Sequence, residues 1–222
     1  MLSFDKVETR STVVLQVYQQ MKRSILRGEL PTGYRIVEVN IAEAFGVSRT
    51  PVREAISRLI AQGFIKEQGN VKVVADISVS MSEINGIRTV LESYAARLAA
   101  ENATDEDLRV ISEYCNSSVL VDGSSPLEKR AMLNDSFHEA VARASYNERL
   151  IKMIADFYEY ALTEEMLVYY SKADTEAHAE QHRSIVKALC ERDPDAAEEA
   201  MRAHITSIGR VIERAITQMK PK

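Results

Sequence analysis

Two groups of side chains in this sequence have types and spacings that could do chemistry. The first is Arg49 and Arg53, four residues apart, behind Gly46-Val47-Ser48. On a helix that spacing puts both guanidiniums on one face. Two planar forks at the front of a helix suit phosphate oxygens and the O6/N7 edge of guanine. The second group is imidazole. His138, His178, His182 and His204 are the four histidines of the chain, and His182 and His204 each lie eleven residues from Asp193. In a helix hairpin turning at Asp193, equal distance from the turn means equal height, about 16 Å along each helix. Asn134 stands one helical turn before His138. Three imidazoles (His138, His182, His204) and the Asn134 amide oxygen, with room for water, match what Zn²⁺, Ni²⁺ or a similar ion takes. His178, one turn before His182, falls at the rim of such a set. The plainer readings are solvated arginines on an ordinary amphipathic helix, and unrelated histidines each satisfied by a local hydrogen bond.

The arginine pair needs a turn and a capped helix. Val13, Val14, Val17, Tyr18, Met21 and Ile25 recur at helical spacing and predict a first helix ended by Gly28. A second helix is predicted from about Glu38 to Phe45, and a third from about Arg49 to Gln62. Gly46 can take the positive φ of a tight helix–helix turn, and Ser48 or Thr50 can cap the helix whose first turn holds Pro51. Phe64-Ile65-Lys66-Glu67 and Val71-Lys72-Val73-Val74 read as short strands around Gln68-Gly69-Asn70, a hairpin signal. Three helices and a hairpin predict a winged helix-turn-helix over residues 1–78.

The histidines need a bundle. From residue 79 to 222 six helices and no strand pattern are predicted, an all-helical antiparallel bundle, so the whole chain is read as mostly α. Ser80 with Glu83 reads as a capping box opening a helix to about Glu101 that buries Ile84, Ile87, Val90, Leu91, Tyr94 and Leu98. Thr104 with Asp107 opens the next, and Asp122 to Pro126 is a break. The third covers Pro126 to Ala144, the fourth Glu148 to Tyr170. The fifth starts at Asp174, and the last follows Asp193-Pro194 to about Met219.

Composition narrows the class. The net charge of −5 hides an asymmetry: residues 1–78 hold eleven Lys/Arg against eight Asp/Glu, and the remainder seventeen against twenty-five. A mildly basic head on an acidic body suits a protein that presents one end to a polyanion. With no run of eighteen apolar residues and no signal-peptide pattern, a soluble cytoplasmic chain with no membrane partner is expected. Cys115 and Cys190 match no metal or redox spacing and are expected as reduced thiols.

Residues 13–78 resemble the N-terminal domain of GntR-family bacterial transcription regulators. The stretch Ile41-Ala42-Glu43-Ala44-Phe45-Gly46-Val47-Ser48-Arg49-Thr50-Pro51-Val52-Arg53-Glu54-Ala55-Ile56-Ser57-Arg58-Leu59 is a long, ordered match to that family's motif. The resemblance implies that Arg49 and Arg53 read DNA, with Ser48, Thr50 and Gly69 near backbone or groove. By the same resemblance Glu54 orients an arginine or caps charge. Val39 stands where some members carry arginine, and the wing offers Lys66 and Lys72 around a short tip.

Residues 79–222 resemble the FCD ligand-binding domain of the FadR branch. The motifs are Asn134-Asp135-Ser136-Phe137-His138, Gln181-His182-Arg183-Ser184-Ile185 and Met201-Arg202-Ala203-His204. This implies a divalent metal, Zn or Ni, on Asn134, His138, His182 and His204, with Asn134 where the pattern more often has Asp. Asp135 points about 100° away around the helix and is not substituted for it. Arg88 and Glu92 match an Arg-x-x-x-Glu pattern. Arg88 could hold an effector carboxylate bidentately, or form an intrahelical ion pair with Glu92. Tyr94, Tyr158 and Tyr169 are candidates for the cavity lining or for ordinary core.

Taken together, the resemblances imply a homodimeric repressor. It would bind a two-fold double-stranded DNA operator and answer to a small organic or sugar acid at the metal. The alternatives are a regulator sensing a fatty acyl thioester without metal, and a metal-dependent enzyme. The sequence pairs no general base with a nucleophile, which argues against the enzyme.

Overall fold

A computed structural model of the chain describes residues 10–119, 125–158 and 167–219. They fall into two compact units, Met1–Ser80 and Met81–Lys222.

In the first unit, α1 (Arg10–Leu26) buries Val14, Val17, Tyr18, Met21 and Ile25, the helical repeat seen in the sequence. Strand β1 (Arg35–Ile36) precedes α2 (Glu38–Phe45) and α3 (Arg49–Ala61). Gly46 ends α2 at φ +65°, and its N–H turns back to the Ala42 and Glu43 carbonyls. That left-handed step is the one glycine makes without a Cβ clash. The inner face of α3 (Val52, Ala55, Ile56, Leu59) packs on α1. Strands β2 (Ile65–Gln68) and β3 (Val71–Val74) pair antiparallel, with Gln68 opposite Val71, so Gly69-Asn70 is a two-residue turn and Gly69 takes φ +61°.

Two details differ from expectation. Ser48 sits at the start of α3 but makes no side-chain capping hydrogen bond. The sheet has a third strand: Arg35 and Ile36 pair with Val73 and Lys72, giving the order β1-β3-β2. Two residues carry no periodicity, so β1 exists only through its partner.

The described part of the second unit is helical: α4 (Ile77–Asn102), α5 (Asp105–Val119), α6 (Leu127–Ala144), α7 (Glu148–Tyr158), α8 (Lys172–Cys190) and α9 (Pro194–Met219). Thr104 and Asp107 exchange backbone and side-chain hydrogen bonds at 2.8 and 3.1 Å ahead of α5, the reciprocal capping expected. Ser171 and Asp174 do the same for α8, which therefore begins two residues before Asp174, the residue expected to open it. Asp193 accepts from the Ala196 N–H at 3.0 Å and caps α9. Just before it, Arg192 at φ +55° reverses the chain. The hairpin interior of α8 and α9 is Ile185, Ala188, Leu189, Ala197, Met201 and Ile205, all buried. Its larger aliphatic side chains contribute about 1.5–3 kcal/mol each.

Helix α4 departs most from the sequence reading. It starts at Ile77, three residues before the Ser80 expected to open it. Its buried face is Asn85, Arg88, Glu92, Ser93, Ala95, Ala96, Ala99 and Ala100. Ile87, Val90 and Tyr94, expected inside, are 43, 60 and 47% exposed. Small residues let neighbouring helices come close; Ala95 packs with Ala142, Leu150 and Ile154 from α6 and α7. Hydrophobicity marks which residues are apolar but not which apolar face a single chain covers.

The fourth body helix is seen as α7 to Tyr158 and a turn at Leu167–Tyr170, where the Tyr170 N–H bonds the Leu167 carbonyl at 3.2 Å. The middle of that predicted helix, the Asp122–Ser124 break and the Tyr158 side chain lie outside the described residues. Among the described residues no helix is long and apolar enough to cross a membrane.

Candidate nucleic-acid interface and metal centre

Glycine at the end of α2 and the short turn after it present the front of α3 to solvent. Ser48, Arg49, Thr50 and Arg53 are exposed there, and Gly69 is exposed at the hairpin tip. The arginines are not independent. Glu38, the first residue of α2, has its side chain only 15% exposed and gathers three cations. Its Oε2 lies 3.1 Å from Arg53 Nη2 and 3.5 Å from Arg49 Nη2, and its Oε1 accepts from Lys72 Nζ at 3.2 Å. Burial alone would raise the Glu38 carboxyl, but Lys72 and Arg53 outweigh it and hold it below the usual carboxylate value. The same residues, with Arg35 and Asn70, line an open hollow of about 390 Å³. The carboxylate that orients the arginines is thus Glu38, where the sequence reading had offered Glu54. Nothing in one sequence marks Glu38, because its partners lie 11 to 34 residues away.

The second unit brings His138 from α6, His182 from α8 and His204 from α9 into contact. His204 Nε2 lies 3.1 Å from His182 Nε2 and 3.1 Å from His138 Nε2, and all three rings are at most 4% exposed. Phe137 stacks on His182 at 4.1 Å and helps fix its plane. Outer partners orient the other two. His138 Nδ1 faces Glu92 Oε2 at 2.8 Å, an ion-pair distance without the alignment of a hydrogen bond. Glu92 in turn accepts from Arg88 Nε at 2.8 Å. Burial would raise the Glu92 carboxyl, yet Arg88 and His138 bring it down to about 2, so it is ionised. On the far side, His204 Nδ1 lies 3.0 Å from Gln181 Oε1, which also accepts from Ser207 Oγ.

The Gln181 carbonyl oxygen can only accept, so His204 carries its proton on Nδ1, and the Glu92 charge favours the same tautomer of His138, which turns the two Nε2 lone pairs toward each other. Facing lone pairs at that distance repel unless a proton or a cation lies between them. Burial, and after it the neighbouring imidazoles, push His182 and His204 well below the ordinary histidine value, which disfavours the proton. A divalent ion fits. At nitrogen–zinc lengths of about 2.0–2.1 Å, nitrogens at the spacing seen here subtend about 100°, between octahedral and tetrahedral. The triad's ligand atoms all lie within 4.8 Å of one another.

Asn134 is half-buried on α6, its amide nitrogen 3.4 Å from Asp135 Oδ1. Arg88 is buried and forms the intrahelical pair with Glu92 that was one of its two readings. Tyr94 is exposed and Tyr169 half-buried. Among the described residues the tyrosine beside the cluster is Tyr170, edge-on to His178 at 4.7 Å, while His178 Nε2 meets Ser207 Oγ at 3.1 Å. Burial raises the Tyr170 phenol, so it stays protonated. Asn85, three residues before Arg88, donates to the Ile205 carbonyl at 3.3 Å, and its Oδ1 is buried with no hydrogen-bond partner among the described residues. Sequence reasoning missed Glu38, Gln181, Asn85 and Tyr170; their spacings carry no pattern.

Known proteins match both halves. The family profile described as "Bacterial regulatory proteins, gntR family" covers residues 14–72, and the FCD domain profile covers residues 83–207. A probable D-xylose utilization operon transcriptional repressor from Paenarthrobacter nicotinovorans is 32% identical over 90% of this chain and 88% of its own. The HTH-type transcriptional regulator LutR from Bacillus subtilis is 29% identical over 85% of this chain and 95% of its own. Among solved structures, Escherichia coli McbR/YncC superposes with a TM-score of 0.66 at 26% identity, covering 99% of this chain and all of that one.

Proposed function

We infer the function from kinship: this chain belongs to the gntR family of bacterial regulatory proteins, carries an FCD domain, and is a DNA-binding transcription regulator. It is not an enzyme, and the metal-dependent enzyme reading falls with that membership. Beyond the family, we propose a cytoplasmic repressor, the role that the name of the Paenarthrobacter relative describes. The winged head, residues 1–78, reads a double-stranded operator through Arg49 and Arg53, with Ser48, Thr50 and Gly69 at the sugar-phosphate backbone. The body, residues 79–222, holds a divalent ion on His138, His182 and His204. Asn134 is the fourth, neutral ligand, and a small organic or sugar acid is the effector.

The observation that carries the metal is the convergence of three buried imidazole Nε2 atoms, two of them 3.1 Å from the third. An ion there supplies a Lewis-acid centre for a carboxylate or hydroxyl oxygen. Arg88, held by Glu92, adds the positive charge that a carboxylate requires. The exposed Ile87–Val90–Tyr94 stripe of α4 supports pairing with a second copy. Two copies then match a two-fold operator.

The test is a thermal-shift screen of small carboxylic and sugar acids with and without chelator. An acid that raises the melting temperature only in the metal-loaded protein supports the reading. A full response after chelation, by metal-free protein, rejects it.

A further inference from the structure

The DNA-reading face carries its own anion. Arg49 and Arg53 on α3 and Lys72 on β3 all reach the carboxylate of Glu38, at 3.5, 3.1 and 3.2 Å. The two arginines are 58 and 61% exposed while Glu38 is nearly covered, so the cations fold back over it. One carboxylate thereby joins the reading helix, the helix before it and the hairpin strand. It also lowers the positive charge offered to any passing phosphate, since a phosphate must compete with a carboxylate already in hydrogen-bond contact with Arg53 and Lys72.

We propose that Glu38 is a positioning and selectivity residue for the DNA site: it sets the arginine forks for base edges and suppresses binding to DNA of arbitrary sequence. The inference rests on the reading of α3 as the DNA-reading helix. Random duplex offers mainly phosphates, and for it the carboxylate is a competitor that must be displaced. The correct base pair rewards a fork already held in one direction. Discrimination is the difference between the two affinities, and a repulsive element against the wrong partner widens it.

The experiment uses the full-length chain and two duplexes of equal length, one selected from a random library by the wild type and one of mixed sequence. Glu38→Gln keeps the shape and removes the charge. It is expected to tighten mixed-sequence binding on the order of threefold to tenfold and steepen its salt slope by about 0.9. The selected-to-mixed affinity ratio falls by a similar factor, in protein that still melts well above the assay temperature. Glu38→Asp, which restores the charge, is expected to return the salt slope and mixed-sequence affinity to wild type.

An unchanged ratio in Glu38→Gln overturns the proposal, as does parallel loss on both duplexes. Glu38→Asp behaving like Glu38→Gln also overturns it. If Glu38→Gln does not fold, Glu38→Asp decides alone: it must keep the wild-type slope and ratio. A wild-type chain that selects no duplex fails the DNA-reading assignment itself, and this inference with it.

Discussion

Glu92 and His138 meet at 2.8 Å between α4 and α6, both buried, and Glu92 simultaneously accepts from Arg88 one turn back on its own helix. A carboxylate held between a guanidinium and an imidazole does two things. It keeps Arg88 charged at low cost inside the unit, and it directs the His138 proton outward so that Nε2 faces the other rings.

Glu92→Gln should therefore destabilise the chain by about 3 kcal/mol, because it removes a buried carboxylate that both Arg88 and His138 face. Urea unfolding checks this at neutral pH. A loss below about 1 kcal/mol would mean that Arg88 finds water or another anion readily.

The triad predicts bound metal. Elemental analysis of purified protein should give near one divalent ion per chain, and His182→Ala combined with His204→Ala should remove it. Asn134→Asp adds a negative ligand one turn from His138 and should tighten metal retention against chelator. Equal retention in Asn134→Asp and wild type would take Asn134 out of the ligand set.

Acid should weaken the metal-free body through its histidines. Burial, and then His138, push His178 down to about 4 from an ordinary 6.5, and His182 and His204 move the same way. Below the ordinary value the unfolded chain takes up protons that the folded chain refuses. Stability is thus complete above about pH 6.5 and declines toward pH 4. Urea midpoints across that range should fall in the wild type. His178→Gln should flatten the decline by on the order of 1 kcal/mol. Parallel curves would contradict a half-buried ring kept neutral by its surroundings.

Arg49→Ala with Arg53→Ala should abolish preference for the selected duplex and reduce the salt slope by about 2. Fluorescence anisotropy at several salt concentrations reads both quantities. Retained preference would move the reading role to other side chains.

How much of this was legible in the sequence differs by residue. Equal distance of His182 and His204 from Asp193 placed them at one height, and their Nε2 atoms are in contact. Gly46, Gly69 and the Thr104–Asp107 cap were readable because each acts within a few residues. Glu38 was not readable as an organiser because its partners lie on other elements; Glu92 was readable as the partner of Arg88 on its own helix but not of His138 on another. Ile87, Val90 and Tyr94 misled because an apolar stripe shows that something covers it, not what. The inner face of α4 is built from alanines and a buried ion pair, whose value lies in close approach and not in hydrophobicity.

Under the proposed function, an acid bound at the triad changes how the head holds DNA. The most direct measurement is the dissociation constant of the selected duplex for zinc-loaded protein, with and without the acid found by thermal shift. A change of about tenfold, equivalent to about 1.4 kcal/mol of coupling, is predicted, and it should vanish in the His182→Ala, His204→Ala protein. Identical constants with and without the acid, or the same change in the histidine variant, would contradict the account.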